Sequence, residues 1–251
     1  MPKRLGGPLL ALLLATGAAR AEAPVVQHVD LLTENFPPFN MAADGRNFAR
    51  DAQVVGQSAE LVRELFRRAG VSYSLTLRFP WDRVYRHALE HPGSAVFSTT
   101  RSAEREALFK WVGPIASYDT VLVATTGRQL ELRSLEQARG YRIGAYKSGA
   151  VSELLSGQGI AAHATLNDRD NIAKLHGGQI DLWATSAPVW RHLAREAGAG
   201  DLQEVLTLRS DPMYLALHKD TPDALVRHLQ QTLEQMRKEG WSSCAAHPEH
   251  C

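Results

Sequence analysis

Hydrophobic and polar positions alternate along this chain in two rhythms. Strand-like runs fall at 28–33, 72–78 and 95–99, and helix-like runs with apolar residues three and four apart fall at 58–69 and 82–89. The order strand, helix, strand, helix, strand predicts an open α/β unit. The helix at 58–69 has local support. Ser58 is placed to cap it, Glu60 lies in its first turn, Val62, Leu65, Phe66 and Ala69 share one face, and Gly70 ends it.

A second cycle follows. A strand at 121–125 and another at 141–145 lead through Lys147-Ser148-Gly149-Ala150 into a short helix ending near Gly157. A helix over 170–175 and an apolar strand over 180–184 come next, separated by Gly177 and Gly178. A strand at 213–217 precedes the strongest helical pattern, 221–238. There Thr221 is the expected cap, Pro222 and Asp223 fill the first turn, and Leu225, Val226, Leu229, Leu233 and Met236 form the apolar stripe up to Gly240. The chain shows no internal repeat, low-complexity tract or flexible linker, so short structured crossings must join the two units.

Composition narrows the partners. With 28 Lys+Arg against 27 Asp+Glu in 251 residues, the net charge of +1 offers no electrostatic case for nucleic acid or an anionic membrane. An apolar content of 44% suffices for one large or two modest cores. Residues 1–21 read as a secretory signal: Lys3 and Arg4 form the basic region, an apolar run follows from Leu9, and Ala19-Arg20-Ala21 supplies a small-x-small cleavage site. Gly6, Gly7, Pro8 and Gly17 interrupt the run, which weighs against a membrane anchor. The expected location is the oxidising periplasm. There Cys244 and Cys251 are expected to form a disulfide pinning the tail, although His247 and His250 between them also give the residue types of a zinc or copper site. No cofactor is expected.

Enzyme signatures do not assemble: G-x-S-x-G, H-E-x-x-H, G-x-x-x-x-G-K-[ST] and G-x-G-x-x-G are all lacking. The informative stretch is 98–111. Ser98, Thr99 and Thr100 end an apolar strand, and Ser102 is placed to cap a short helix holding Glu104, Arg105 and Leu108. Hydroxyls, free N–H groups and a guanidinium converging on one sheet edge can hold a carboxylate. The ordinary alternative is a solvated Arg105 beside Glu104 and Glu106. Leu108, Phe109 and Trp111 read as packing, and Arg101 is left open between supplementing Arg105 and facing water. The first strand runs into Asn35-Phe36-Pro37-Pro38-Phe39, where the prolines force a loop at the strand's C-terminal end, the edge at which open α/β sheets bind ligands. Phe36, Phe39 and Trp81 could line the same cleft as Arg105.

The segments LLTENFPPFNM, GQSAELVRELFRRAG, FPWDRVYRHALE, STTRSAEREALFKWVGPI, YRIGAYKSGAVSELL and GGQIDLWATSAPV, in this order and spacing, resemble the periplasmic solute-binding proteins of polar amino acid ABC transporters (family 3 extracellular solute-binding proteins). The resemblance covers nearly the whole chain after the signal. It implies an α/β, two-lobed periplasmic-binding-protein-like (type II) fold with a two-strand hinge, lobe 1 being 22–120 plus 213–251 and lobe 2 being 121–212. By the same resemblance Arg105 pairs with a ligand carboxylate, and Ser98 and Thr100 complete that grip. Phe36 and Trp81 pack on the ligand, and the turn at Lys147, Gly149 and Ala150 meets it on closure. The family's usual acid for the ligand ammonium falls at Ser186, which can accept a hydrogen bond but carries no charge. Asp181 reads as a strand residue of the lobe, and Asp168 and Asp170 as solvated helix-start acids more readily than as substitutes.

The expected function is periplasmic binding of a small carboxylate-bearing solute, foremost an amino acid, by a monomer that delivers it to a membrane ABC permease. Two alternatives stand beside it: a dehydratase-like enzyme acting on a cyclic prephenate-like acid on the same fold, and a ligand-sensing module for a membrane receptor.

Overall fold

The computed structural model describes residues 28–246. The expected signal sequence, Cys251 and the histidines between the two cysteines lie outside them. Among the described residues, eleven strands and seven α-helices follow one another as β1 (His28–Thr33), β2 (Met41–Ala42), β3 (Phe48–Arg50), β4 (Val54–Val55), α1 (Gln57–Ala69), β5 (Ser72–Arg78), α2 (Trp81–Glu90), β6 (Ser94–Thr100), β7 (Phe109–Thr125), β8 (Ile143–Tyr146), α3 (Ala150–Gly157), β9 (Ala162–Thr165), α4 (Asp170–His176), β10 (Leu182–Ser186), α5 (Ala187–Ala197), β11 (Leu202–His218), α6 (Asp223–Lys238) and α7 (Ser243–Ala246).

Nine strands form one mixed sheet in the order β3-β5-β1-β6-β11-β7-β10-β8-β9. Strands β5, β1 and β6 are parallel, as are β10, β8 and β9. Between these blocks lie β7 and β11, each 17 residues long, paired antiparallel from Leu202 opposite Thr125 to His218 opposite Phe109. The strands expected at 121–125 and 213–217 are thus the ends of two much longer ones. Gly113, Pro114 and Asp119 break the apolar rhythm of β7, and the antiparallel partner holds it extended regardless.

Burial separates along this pair. One core joins Leu31, Phe66, Leu75 and Phe97 to Leu229 and Met236, so α6 returns to the half built by the N-terminal strands. The cores of the other half draw on residues between 121 and 208, among them Trp183, Ile180, Leu155 and Ile143.

Two capping expectations are corrected. Helix α1 has Gly56, not Ser58, at its N-cap, because the carbonyls of Pro38 and Phe39 accept from the N–H groups of Gln57, Ser58 and Ala59. Backbone oxygens fill the role expected of a side chain and anchor the Pro37-Pro38 loop to the helix. Gly56 has φ of +115°, and a Cβ there would lie 2.6 Å from both carbonyl oxygens, so only glycine fits. Helix α6 begins at Asp223 after Pro222, and Thr221 gives no side-chain cap but turns its own N–H to the carbonyl of His218. Helix α5 has no counterpart in the hydrophobic pattern read above. It opens on Ala187-Pro188 directly after β10 and presents Val189 and Ala194 to the core.

Candidate functional site

Strands β1 and β6 run parallel, so both deliver their C-terminal ends to one edge of the sheet. Glu34 and Phe36 follow β1, and Ser98 to Thr100 close β6. The other half contributes the turn from β8 into α3, the loop after β9, and the step from β10 into α5. Between them lie two adjoining cavities. The smaller, of about 70 Å³, touches Ser98, Thr100, Arg105 and Trp81; the larger, of about 490 Å³, touches Asp168, Thr185 and Ser186. Glu34, Phe36, Tyr118, Tyr146, Gly149 and Ala150 line both.

The sequence-predicted residues therefore come together with two exceptions, Lys147 and Phe39, the latter being buried in the core of the N-terminal half, where its ring stacks on Phe36 from behind the cleft wall. Phe36, Trp81, Ser98, Thr100, Arg105, Gly149, Ala150 and Ser186 all line the cleft. Lys147 does not. Its side chain is exposed outside both cavities, while its N–H bonds to the carbonyl of Thr165 and ties β8 to β9. The left-handed Ser148 follows at φ 59°, so the chain reverses after Lys147 and only the next residues face inward.

Arg105 is 4% exposed. It does not sit within a regular helix begun by Ser102, as expected, but at the start of a single 3-10 turn, Glu106–Leu108. The Ser102 hydroxyl caps no helix, Arg105 N–H bonds to the Ser102 carbonyl, and Leu108 is exposed rather than packed. The guanidinium lies 5.0 Å from the centre of the Tyr85 ring, and Nη2 donates to Glu153 Oε1 of α3 at 2.6 Å. A carboxylate from the opposite half thus already occupies one edge of the guanidinium. The hydroxyls expected to assist are engaged nearby: Ser98 Oγ donates to Asn40 Oδ1, and Thr100 Oγ1 lies 3.0 Å from Tyr118 Oη. Arg101 is resolved as a separate surface group, gripping Glu106 through two bonds of 2.6 and 2.5 Å beside Trp111 and Tyr214.

Glu153→Gln is expected to weaken the contact between the halves and free the outer edge of Arg105. Affinity for an anionic solute should then rise about threefold or more, read by calorimetry. Unchanged affinity would show that Glu153 and the solute use different edges of the guanidinium.

The acids correct a second expectation. Asp168 is not a solvated helix-start residue. It lines the larger cavity and accepts from Trp183 Nε1 and Thr185 Oγ1 at 2.8 Å and from Asn171 Nδ2 at 3.0 Å. Burial raises its pKa, against the pull of those three donors. Asp170 stays exposed in the first turn of α4. Asp181, expected within the strand, instead lies just before β10 and outside the cleft, and bonds to Arg142 and Arg128. The Arg142 hydrogen bonds first, then Arg128, hold its carboxyl well below the usual range.

Glu34, Tyr146 and Glu153 were missed by sequence reasoning. Tyr146 Oη donates to Glu34 Oε2 at 2.8 Å and receives the Trp81 N–H at 3.3 Å, bridging the two halves. Burial is the main cause that pushes Glu34 up to about 8; the Tyr146 bond opposes it, and the charges of Asp168 and Asp82 add to it. The available signal was a lone carboxylate directly after a buried strand, at the edge where ligands bind. Ser186 Oγ is buried, and it makes no hydrogen bond although the residue stands at the N-cap of α5. Among the described residues no cluster of three or more His, Cys, Asp or Glu could hold a metal, and no helix is long and apolar enough to cross a membrane.

The fold is shared with many solved structures. A histidine kinase sensor domain with similarity to periplasmic binding proteins matches with a TM-score of 0.74 at 17% identity, covering 85% of this chain and 92% of that one. An ancestral arginine-binding protein bound to glutamine gives 0.71 at 20% identity over 85% and 93%. The arginine-, lysine-, histidine-binding protein ArtJ from Geobacillus stearothermophilus gives 0.70 at 18% over 85% and 90%. No curated protein matches by sequence. The family model for bacterial extracellular solute-binding proteins, family 3, matches residues 31–243, and the chain, with its cleft between two α/β halves, belongs to that family.

Proposed function

We propose that the protein binds a small carboxylate-bearing solute, an amino acid, in the cleft and delivers it to a membrane ABC permease by closing upon it. One observation carries the carboxylate: the nearly buried Arg105 guanidinium, backed by the Tyr85 ring, already holds a carboxylate oxygen at 2.6 Å from across the cleft. A fork of that kind suits a planar carboxylate far better than a point charge. Closure is a change in the angle between lobe 1 (22–120 plus 213–251) and lobe 2 (121–212), taken up where β7 and β11 cross between them, near 118–122 and 210–214. Membership of a solute-binding family and the amino acid ligands named for two of its structural neighbours support this reading over an enzymatic one. Export by the 1–21 signal and pairing of Cys244 with Cys251 belong to the same proposal. A second reading, presentation of the liganded protein to a membrane sensor, is favoured by the kinase sensor neighbour.

The test is a thermal-shift screen of the purified protein with amino acids beside their des-amino and decarboxylated analogues. A solute that binds the folded state raises the midpoint by mass action. Stabilisation that requires the carboxylate supports the proposal; stabilisation by amines lacking it, with no response to any carboxylate, overturns it. Loss of solute uptake on deletion of the gene separates transport from sensing.

A further inference from the structure

The larger cavity, of about 490 Å³, has room for a solute of many atoms, pockets for such solutes running from about 300 to 1,000 Å³. Both halves supply it with apolar walls. Met41 of β2 and Val55 of β4 come from one half; Val189 and Leu193, one turn apart on α5, and Leu166 of the loop after β9 come from the other. Phe36 stands where this cavity meets the smaller one, its ring edge-on to that of Tyr118 at 5.5 Å.

The charged groups in those walls are already matched within the protein. Asp168 accepts from three donors, and Glu34, pushed up to about 8 by burial, keeps its proton near neutral pH and holds Tyr146. Arg169 and His192 both face Glu196. Ser186 adds one unpartnered hydroxyl and no charge. A long polar chain laid in this space would lose its water and find few new partners, whereas an apolar body gains from every part removed from water.

Leu166 supports the same conclusion independently. Among the described residues three large apolar side chains are exposed, Phe48, Leu108 and Leu166, and of these Leu166 belongs to the cavity wall. It is 50% exposed beside a solute-sized space, and an apolar solute there would cover it.

On the binding reading above, we infer that the solute carries a bulky apolar side chain behind its carboxylate. Arg105 takes the acid group in the smaller cavity and the side chain passes Phe36 into the larger one. There Leu166, Val189 and Leu193 face it from one half, and Met41 and Val55 from the other. The cleft therefore prefers large apolar amino acids to polar ones.

The test is calorimetric titration of the full mature protein with L-tryptophan, L-phenylalanine, L-glutamine, L-arginine and tryptamine, which is tryptophan without its carboxylate. L-Tryptophan and L-phenylalanine are expected to bind about tenfold tighter or more than L-glutamine and L-arginine, with a negative heat-capacity change, the mark of apolar burial. Leu166→Asn should weaken L-tryptophan about threefold or more and shrink that heat-capacity change. Thermal melts check that the variant folds; should it melt far below the wild type, Leu166→Ala serves in its place with the same expectation. L-Glutamine or L-arginine binding as tightly as the aromatic amino acids, or wild-type affinity and heat-capacity change in the variant, overturns the inference and leaves the carboxylate anchor standing. Tryptamine binding as tightly as L-tryptophan, with both weakened in the variant, upholds the apolar wall and overturns the anchor. No binding by any of these solutes overturns both.

Discussion

Replacing Arg105 by alanine is expected to abolish ligand-induced stabilisation while leaving a folded protein. Truncating one member of a buried, hydrogen-bonded charge pair costs roughly 2–5 kcal/mol in binding. A solute at 100 times its Kd stabilises the wild type by about 2.7 kcal/mol; after a loss of about 3 kcal/mol the same concentration gives only about 0.3 kcal/mol. The free protein loses less, because Glu153 is 44% exposed in its side chain and can be solvated once its partner is gone. What remains is an uncovered Tyr85 face and a gap at the β6 edge, so a lower melting temperature is expected with the cooperative transition retained. Melting curves with and without the solute found in the screen decide it. A variant that keeps the wild-type ligand shift would remove Arg105 from the site.

The second large effect is on stability against pH. Glu34 titrates near 8 when folded and near 4.5 when unfolded, so between these values the folded protein keeps a proton that the unfolded chain has released. Stability is therefore highest at the acid end of this window and falls as pH rises through it, by roughly 3–5 kcal/mol in all. Asp168, also raised, tilts the curve the same way. Glu34→Gln carries a permanently neutral group of similar shape and can still accept from Tyr146. The variant should match the wild type near pH 5 and exceed it by several kcal/mol near pH 8 in urea melts without ligand. Parallel curves for the two proteins would show that Glu34 is ionised in the folded state.

The elements that were legible from sequence are those whose periodicity is set locally. Helix α1 ends at a left-handed Gly70 where the sequence indicates, and β1, β5 and β6 fall where their apolar runs place them. The long reach of β7 and β11 was not legible, because pairing with a strand about ninety residues away, rather than their own composition, keeps them extended through glycine and proline. The cleft shows the same division. Arg105 announces itself by the hydroxyl-rich strand end before it. Glu34 and Asp168 owe their character to what encloses them, and a buried carboxylate is written the same way as a solvated one. Lys147 errs in the opposite sense: its neighbours Gly149 and Ala150 do face the cleft, but the left-handed residue between turns its own side chain out.

The return of α6 to the core begun by β1 bears on how the chain acquires its fold. His228 of α6 bonds to the carbonyl of Ala69 across 159 residues of sequence, and Leu229, Leu233 and Met236 complete a core whose other walls are the earliest strands. A chain that emerges from synthesis or from a membrane pore with its N-terminus first cannot close that core until nearly the whole length has appeared. The half between 121 and 208 carries its own enclosed clusters and meets no such delay. The part made first is thus the part finished last.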